Sequence, residues 1–339
     1  MKNRWKQAMA VCVSAAVMVS LLLTGCGGTT AEGEQRYAWP LGTSSPEDTV
    51  TQLYAVKFAD EVSRLSDGKM KIQVYPNSVL GGDRELLESC QDGDIPFVVQ
   101  NTAPQVTFMP DIAVFDMPCV FNTIEDVREA IDDTDFLSKI QEVYHSGGYE
   151  LLGYADQGFR VMSTSKPVYN IDDFRGQKIR TMENSFHMQF WKELKANPTP
   201  MTFSEVYIGL EQGTIDAQEN PYEVIVSNKL YEQQDYIVET NHLPHLISLI
   251  VSDEFMQGLP EDEQEIIREA AETAKEYARQ QSDERISSRI DIIEESGTAI
   301  LPMDRKLRTE VVKRCEPVYA NIRASIDEEL ADAYIGHQK

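Results

Sequence analysis

Apolar residues at Leu53, Val56, Phe58, Val62 and Leu65 recur near the 3.6-residue period of a helix, which predicts a helix with one buried face from about Asp48 to Ser66. Before it, RYAWPLG (36–42) reads as a strand that ends in Thr43-Ser44-Ser45-Pro46. After it, Ser66-Asp67-Gly68 stops the helix and Lys69–Tyr75 switches to period two, with Met70, Ile72 and Val74 on one side. A short helix over Asp83–Gln91 follows, then the turn Asp92-Gly93-Asp94 and a strand over Ile95–Gln100. This β-α-β-α-β rhythm predicts an α/β fold with a largely parallel sheet and helices on its faces.

A second unit opens with strands at Tyr149–Tyr154 and Gly158–Thr164, the turns Lys166-Pro167 and Asp172–Gly176, and a strand at Lys178–Thr181. Phe186, Phe190, Trp191 and Leu194 then form one apolar helical face, closed by Asn197-Pro198, which reads as core. Ser204 is expected to cap a further helix that Gly213 ends. From Glu261 to Ser296 the chain is charged throughout, with a discontinuous stripe of Ile266, Ile267, Ala270, Ala274, Tyr277 and Ala278. That stripe lacks the sustained heptads of a coiled coil, so a strut lying along two domains accounts for it better.

The N-terminus changes the picture. Lys2, Arg4 and Lys6 precede an apolar run from Ala8 to Leu23, too short to span a bilayer and shaped like a signal segment. It ends in Leu23-Thr24-Gly25-Cys26, which resembles the bacterial lipoprotein signal with Cys26 as the lipid acceptor. Residues 1–25 are therefore expected to be removed, 26–35 to form a linker, and the folded body to start near Arg36. The remaining 339 − 25 = 314 residues exceed the usual size of a single core, so two domains are expected.

The net charge of −25 becomes −28 once Lys2, Arg4 and Lys6 are lost. So acidic a surface excludes a nucleic-acid partner, which needs a basic stripe. Cys90, Cys119 and Cys315 show no zinc or redox spacing and read as small buried residues, with a Cys90–Cys119 disulfide as the alternative. No metal site or cofactor motif is apparent, and HExxH, GxSxG, P-loop and dinucleotide-glycine patterns are all absent.

The chemistry concentrates between Gln177 and Pro221, in QKIRTMENSFHMQFWKELKANPTPMTFSEVYIGLEQGTIDAQENP. It places Arg180 at the end of a strand, with aromatic residues and an amide nearby. A guanidinium is a rigid, permanently charged fork that pairs both oxygens of a carboxylate, so the segment points to anion recognition. Against a body of −28, such a site needs local, buried arginines.

This run, together with GGDRELLE and FDMPCVF, closely resembles the extracytoplasmic substrate-binding proteins of TRAP transporters, the DctP-like family. The resemblance covers nearly the whole chain after the signal. It implies a two-lobed α/β, periplasmic-binding-protein-like fold with a long helix spanning both lobes. Lobe I would hold 36–157 plus 246–285, and lobe II 158–245 plus 286–339.

By that resemblance Arg180 clamps the ligand carboxylate, Arg160 is a second arginine near the ligand, and Asn220 hydrogen-bonds the carboxylate or a neighbouring hydroxyl. Phe203 packs on the ligand body, and His242 braces the arginine and asparagine from behind. Thr43, Ser44 and Gln100 lie at strand ends facing the expected cleft, where such sheets bind ligands. Gln100 departs from those family members that carry a carboxylate at its position, and a neutral amide there suits other hydroxyl patterns.

The implied function is a lipid-anchored, non-enzymatic receptor that needs no cofactor. It would deliver a small organic acid to TRAP permease subunits driven by an ion gradient. The polar first-lobe residues favour a sugar acid such as a uronate or aldonate. A C4-dicarboxylate is the alternative, with Arg160 taking the second carboxylate. A ligand-presenting sensor subunit and a secreted hydrolase stay as readings from other classes.

Overall fold

The computed structural model describes residues 39–337. The expected signal segment, Cys26 and the linker lie outside the described residues. Strand β1 (Trp39–Gly42) leads to helix α1 (Val50–Leu65), whose Thr49 side chain caps the N-terminus by accepting from the Gln52 N–H. Then come β2 (Ile72–Tyr75), α2 (Asp83–Gln91) and β3 (Phe97–Asn101). Two 3-10 turns (Ala103–Thr107 and Pro110–Asp116) precede α3 (Ile124–Asp132) and α4 (Thr134–Ser146). Next are β4 (Tyr149–Phe159), β5 (Val161–Thr164), β6 (Lys178–Thr181), α5 (Ser185–Glu193) and β7 (Asn197–Pro200). The chain continues through α6 (Val206–Glu211), β8 (Ala217–Asn220), α7 (Tyr222–Ser227), β9 (Tyr236–Glu239), β10 (Pro244–Ser252) and α8 (Asp253–Gln257). It closes with α9 (Glu261–Glu295), β11 (Ala299–Pro302), α10 (Arg305–Ser325) and α11 (Glu328–Ile335).

Two mixed sheets result, with strand orders β2-β1-β3-β10-β4 and β11-β9-β5-β8-β6-β7. The expected parallel pairing holds across β2, β1 and β3, but β10 runs antiparallel to both β3 and β4. In the second sheet β5 is antiparallel to β8 and β9, while β6 is parallel to β7 and β8. β4 passes from the first sheet directly into β5 of the second, and β10 returns the chain to the first sheet between β3 and β4. Gly158, at φ +73°, lies at the β4–β5 passage, a backbone conformation unfavourable for any residue with a Cβ.

Side-chain alternation assigns each face. Phe97 and Val99 point into a core with Leu41, Tyr54, Phe58 and the alanines of α9, while Val98 faces the opposite core with Leu86 and Ile112. Each of the two phenylalanines, fully buried, contributes about 1.5–3 kcal/mol. Ala270, Ala274 and Ala278 let α9 lie close along α1 and β4, and its far half reaches α7 and β11. There Arg285 and Arg289 both bond to Asp48, before α1, and to Glu223 on α7. Helix α11 packs on α3 and α4 and also touches α10.

Two further expectations change. Ser204 is not a cap: Phe203–Glu205 forms a 3-10 turn that runs straight into α6. Cys90, Cys119 and Cys315 are all free thiols, so the Cys90–Cys119 pairing is not made.

Candidate ligand-binding site

Strand β6 sits between β7 and β8, with Arg180 aligned to Thr199 and Gln218. Its side chain is 2% exposed. Nε and Nη2 both donate to the Met201 carbonyl, at 2.9 and 2.7 Å. That leaves Nη1 buried with no partner in the protein. Burial depresses the guanidinium to about 10, with Glu219 opposing and Arg160 adding to the shift, so Arg180 stays charged at neutral pH. The Phe203 ring centre lies 5.9 Å from the guanidinium carbon. Both side chains line a cavity of about 320 Å³, with Ser44, Ser78, Asp83 and Met201 among its other walls. A recess of about 30 Å³ shares Ser44, Asp83, Arg180 and Phe203 and adds Asn101, Asn220 and His245.

Arg160 lies between β4 and β5 and is fully engaged by protein groups on three sides. Its Nε pairs with Glu219, Nη1 meets the Nδ1 of His245, and Nη2 donates to the Glu219 carbonyl at 2.5 Å and to Asn220 Oδ1 at 3.2 Å. Burial opposes a charge on Glu219, yet Arg160, His187 and His242 hold it ionised, well below the usual carboxylate range. His242 Nε2 lies 3.2 Å from Glu219 while its Nδ1 meets Thr240, and its ring stacks on Phe190. Burial, and then the charge of Arg160, keeps His245 neutral, and burial lowers His242 as well. Asn220 donates to Gln218 Oε1 at 2.6 Å, so both ends of its amide are fixed.

The first sheet supplies the facing wall. Ser44, just past β1, donates to Asp83 Oδ1 at 2.6 Å, and both line the cavity. Burial raises the Asp83 carboxyl, with Ser44 and Arg180 pulling it down and Glu85 and Glu183 adding to the rise. Gly81 precedes it at φ +129°, where an added Cβ would sit 2.8 Å from Glu85 Cβ, so the double glycine lets this loop fold against α2. Thr43 is buried and its hydroxyl accepts from the Ser45 N–H, holding the loop instead of lining the cavity. Gln100 is buried with both amide atoms unpaired, and its neighbour Asn101 is the residue that lines the recess.

Arg180, Phe203, Ser44 and Asn220 thus converge on the cavity and recess, while Arg160 and His242 lie behind them and Thr43 and Gln100 outside the lining. Sequence reasoning passed over Asp83, Asn101, His245, Glu219 and His187. Asp83 had a readable signal in its place behind two glycines at a helix start. Glu219 had none, since only the structure shows that its strand is buried at all four residues. Among the described residues no cluster of His, Cys, Asp or Glu is placed to hold a metal, and no helix is long and apolar enough to cross a membrane.

The family model described as "Bacterial extracellular solute-binding protein, family 7" (DctP) matches residues 41–325. The chain is 30% identical over 292 residues to the C4-dicarboxylate-binding protein DctB of Bacillus subtilis, covering 84% of this chain and 81% of that one. The sugar acid binding protein DctPAm of Advenella mimigardefordensis, solved with galactonate, superposes with a TM-score of 0.86 at 28% identity, covering 90% of this chain and 99% of that one. A TRAP periplasmic solute-binding protein of Polaromonas sp. JS666, bound to D-erythronate, gives a TM-score of 0.83 at 30% identity, over 88% of this chain and 98% of that one. With its two-sheet fold and a buried arginine facing a cavity, the chain belongs to the DctP family of bacterial extracellular solute-binding proteins, and is a TRAP-type solute receptor, not an enzyme.

Proposed function

We propose that this receptor captures a monocarboxylate carrying several hydroxyl groups, an aldonate or uronate, with Arg180 as the carboxylate clamp. The observation that carries the reading is the buried, unpartnered Nη1 of Arg180 at a cavity wall, its other two nitrogens tied to Met201. A carboxylate placed there completes the guanidinium's bonding and restores the solvation that burial removed. Phe203 packs on the carbon chain, while Ser44, Asp83, Asn101 and Asn220 offer acceptors and donors to hydroxyls.

A C4-dicarboxylate fits less well. The arginine expected to take its second carboxylate, Arg160, is already committed to Glu219, His245 and Asn220. The cavity lining adds Asp83, Glu85 and Glu183 against Arg84 and Arg180, so a second carboxylate would meet carboxylates. Relatives solved with galactonate and D-erythronate support the hydroxy-acid reading, and the dicarboxylate-binding relative supports the alternative. Hinge closure between the lobes expected at 36–157 plus 246–285 and 158–245 plus 286–339 would trap the ligand. Cys26 lipidation would hold the receptor at the membrane beside its TRAP permease.

Thermal unfolding of the full chain in mild detergent, against D-galactonate, D-galacturonate, D-erythronate and succinate, tests this reading. A bound acid raises the melting temperature by mass action. Larger shifts with the hydroxy acids than with succinate support the proposal. A shift with succinate alone, or with none of the acids, refutes it.

A further inference from the structure

Behind the clamp lies a second buried charge pair that the carboxylate site as described does not use. His187, on α5, is 3% exposed. Its Nε2 is 2.9 Å from Asp116 Oδ1 and its Nδ1 is 3.5 Å from Glu219 Oε1. That Glu219 oxygen has no hydrogen-bond partner. Asp116 is further held by Asn184, whose Nδ2 donates to Oδ2 at 2.6 Å while its Oδ1 caps α5 by accepting from the Phe186 and His187 N–H groups. The imidazole is therefore hydrogen-bonded to Asp116 and within ion-pair distance of Glu219, between two buried carboxylates from distant parts of the chain. Asp116 ends the 3-10 turn that follows the first sheet's β3, and Glu219 sits on β8 of the second.

Charge balance gives this placement its meaning. Arg160 compensates Glu219, and Asp116 is left over. With a neutral His187, Arg160 and Arg180 face Glu219, Asp116 and Asp83, and the buried group carries one surplus negative charge against a ligand carboxylate. With His187 protonated, the three cations balance the three carboxylates, and a ligand carboxylate no longer meets a net negative group.

We propose that His187, held as an imidazolium by Asp116 and Glu219, is a positioning residue for the ligand carboxylate, because it neutralises Asp116 and so removes one buried negative charge that would oppose the ligand. Burial alone would depress His187, but Asp116 and Glu219 outweigh it and raise the group to about 9.

The charged and titratable surroundings agree. The turn carries Asp116; β8 carries Glu219; Arg160, His242 and His245 lie on the far side of Glu219, both histidines with lowered values. Among the elements packed on α5, β6 carries Arg180 and the exposed Lys178, and β7 has no titratable residue. On α10, Cys315 is a buried thiol pushed up by burial, and Arg308 donates to the carbonyls of Thr240 and Asn241.

The inference rests on Arg180 as clamp, and its test separates the two. Affinity for the tightest-binding acid of the panel above is measured by calorimetry on the full chain, for wild type, His187→Gln, Asp116→Asn/His187→Gln and Arg180→Lys. His187→Gln should bind roughly tenfold more weakly, through loss of one nearby charge. The double variant, which removes one charge of each sign, should recover to within about threefold of wild type. Wild-type affinity should fall as pH rises from about 7.5 to about 9.5, a fall that the double variant lacks.

A side chain that only filled space would give a double variant no better than the single one and no difference in pH profile. Either result overturns the inference, as does wild-type affinity in His187→Gln. If Arg180→Lys loses binding while His187→Gln does not, only this inference fails. If no acid binds wild type, the clamp reading fails and this one with it. Should His187→Gln not fold, the pH profiles of wild type and the double variant still decide.

Discussion

Replacing Arg180 by lysine keeps the charge and removes the fork, which makes it the sharpest probe of the clamp. Arg180 divides its donors: Nε and Nη2 hold the Met201 carbonyl at 2.9 and 2.7 Å, and Nη1 is left for the cavity. A lysine has one nitrogen to serve both directions and no planar pair of donors. One charge-assisted hydrogen bond to the carboxylate should be lost, about 1.5–3 kcal/mol, which is a roughly ten- to hundredfold weaker affinity. The cation over Phe203 also shifts, a contribution of about 0.5–1 kcal/mol that acts in the same direction. Calorimetric titration of Arg180→Lys with D-galactonate reads the affinity, and urea unfolding without ligand shows whether the fold is intact. An intact protein that binds within about threefold of wild type would refute the carboxylate clamp.

The other expectations are independent of that one. Asp83→Asn should weaken D-galactonate and tighten succinate, each by roughly tenfold, because a carboxylate facing the cavity becomes a neutral amide; unchanged selectivity by calorimetry would remove Asp83 from the site. Glu219→Gln strands Arg160 without its buried counter-ion and should cost about 3–5 kcal/mol in urea unfolding, so a loss under about 1 kcal/mol would mean the pair is not structural. His187 also links stability to pH. Its value in the fold lies above the ordinary 6.5, so its contribution is complete below about 6.5 and is lost as pH rises through about 9. Ligand-free stability should decline by a few kcal/mol over that window in wild type and be flatter in His187→Gln, and equal slopes in the two proteins would contradict it.

Local pattern was enough for the elements whose one face is buried. Helical spacing of apolar residues announced α1 and α9, although in α1 the buried face is Tyr54, Ala55, Phe58, Ala59 and Val62, while the expected Val56 is exposed and Leu53 only partly buried. Sequence reasoning assigned no element to residues 101–148 and 297–337, although Leu307, Val311, Cys315, Val318 and Ile322 of α10 recur at helical spacing on one buried face; the 3-10 turns at 103–107 and 110–116 have no such period to read. The mixed sheets were also hidden, since β10 and β5 run antiparallel through long-range pairings that strand periodicity does not encode.

The site divides in the same way. By itself the sequence determined the family, the arginine with a strand end under it, the aromatic at Phe203 and the amide at Asn220, because these lie in one contiguous segment. Only the tertiary structure decided which charges are free. It committed Arg160 to Glu219, left Arg180 Nη1 without a partner, and brought Asp116 to His187 across 71 residues. The physical reason is that a charge's availability depends on its neighbours in space and on the water excluded around them, and neither is written in the local order of residues.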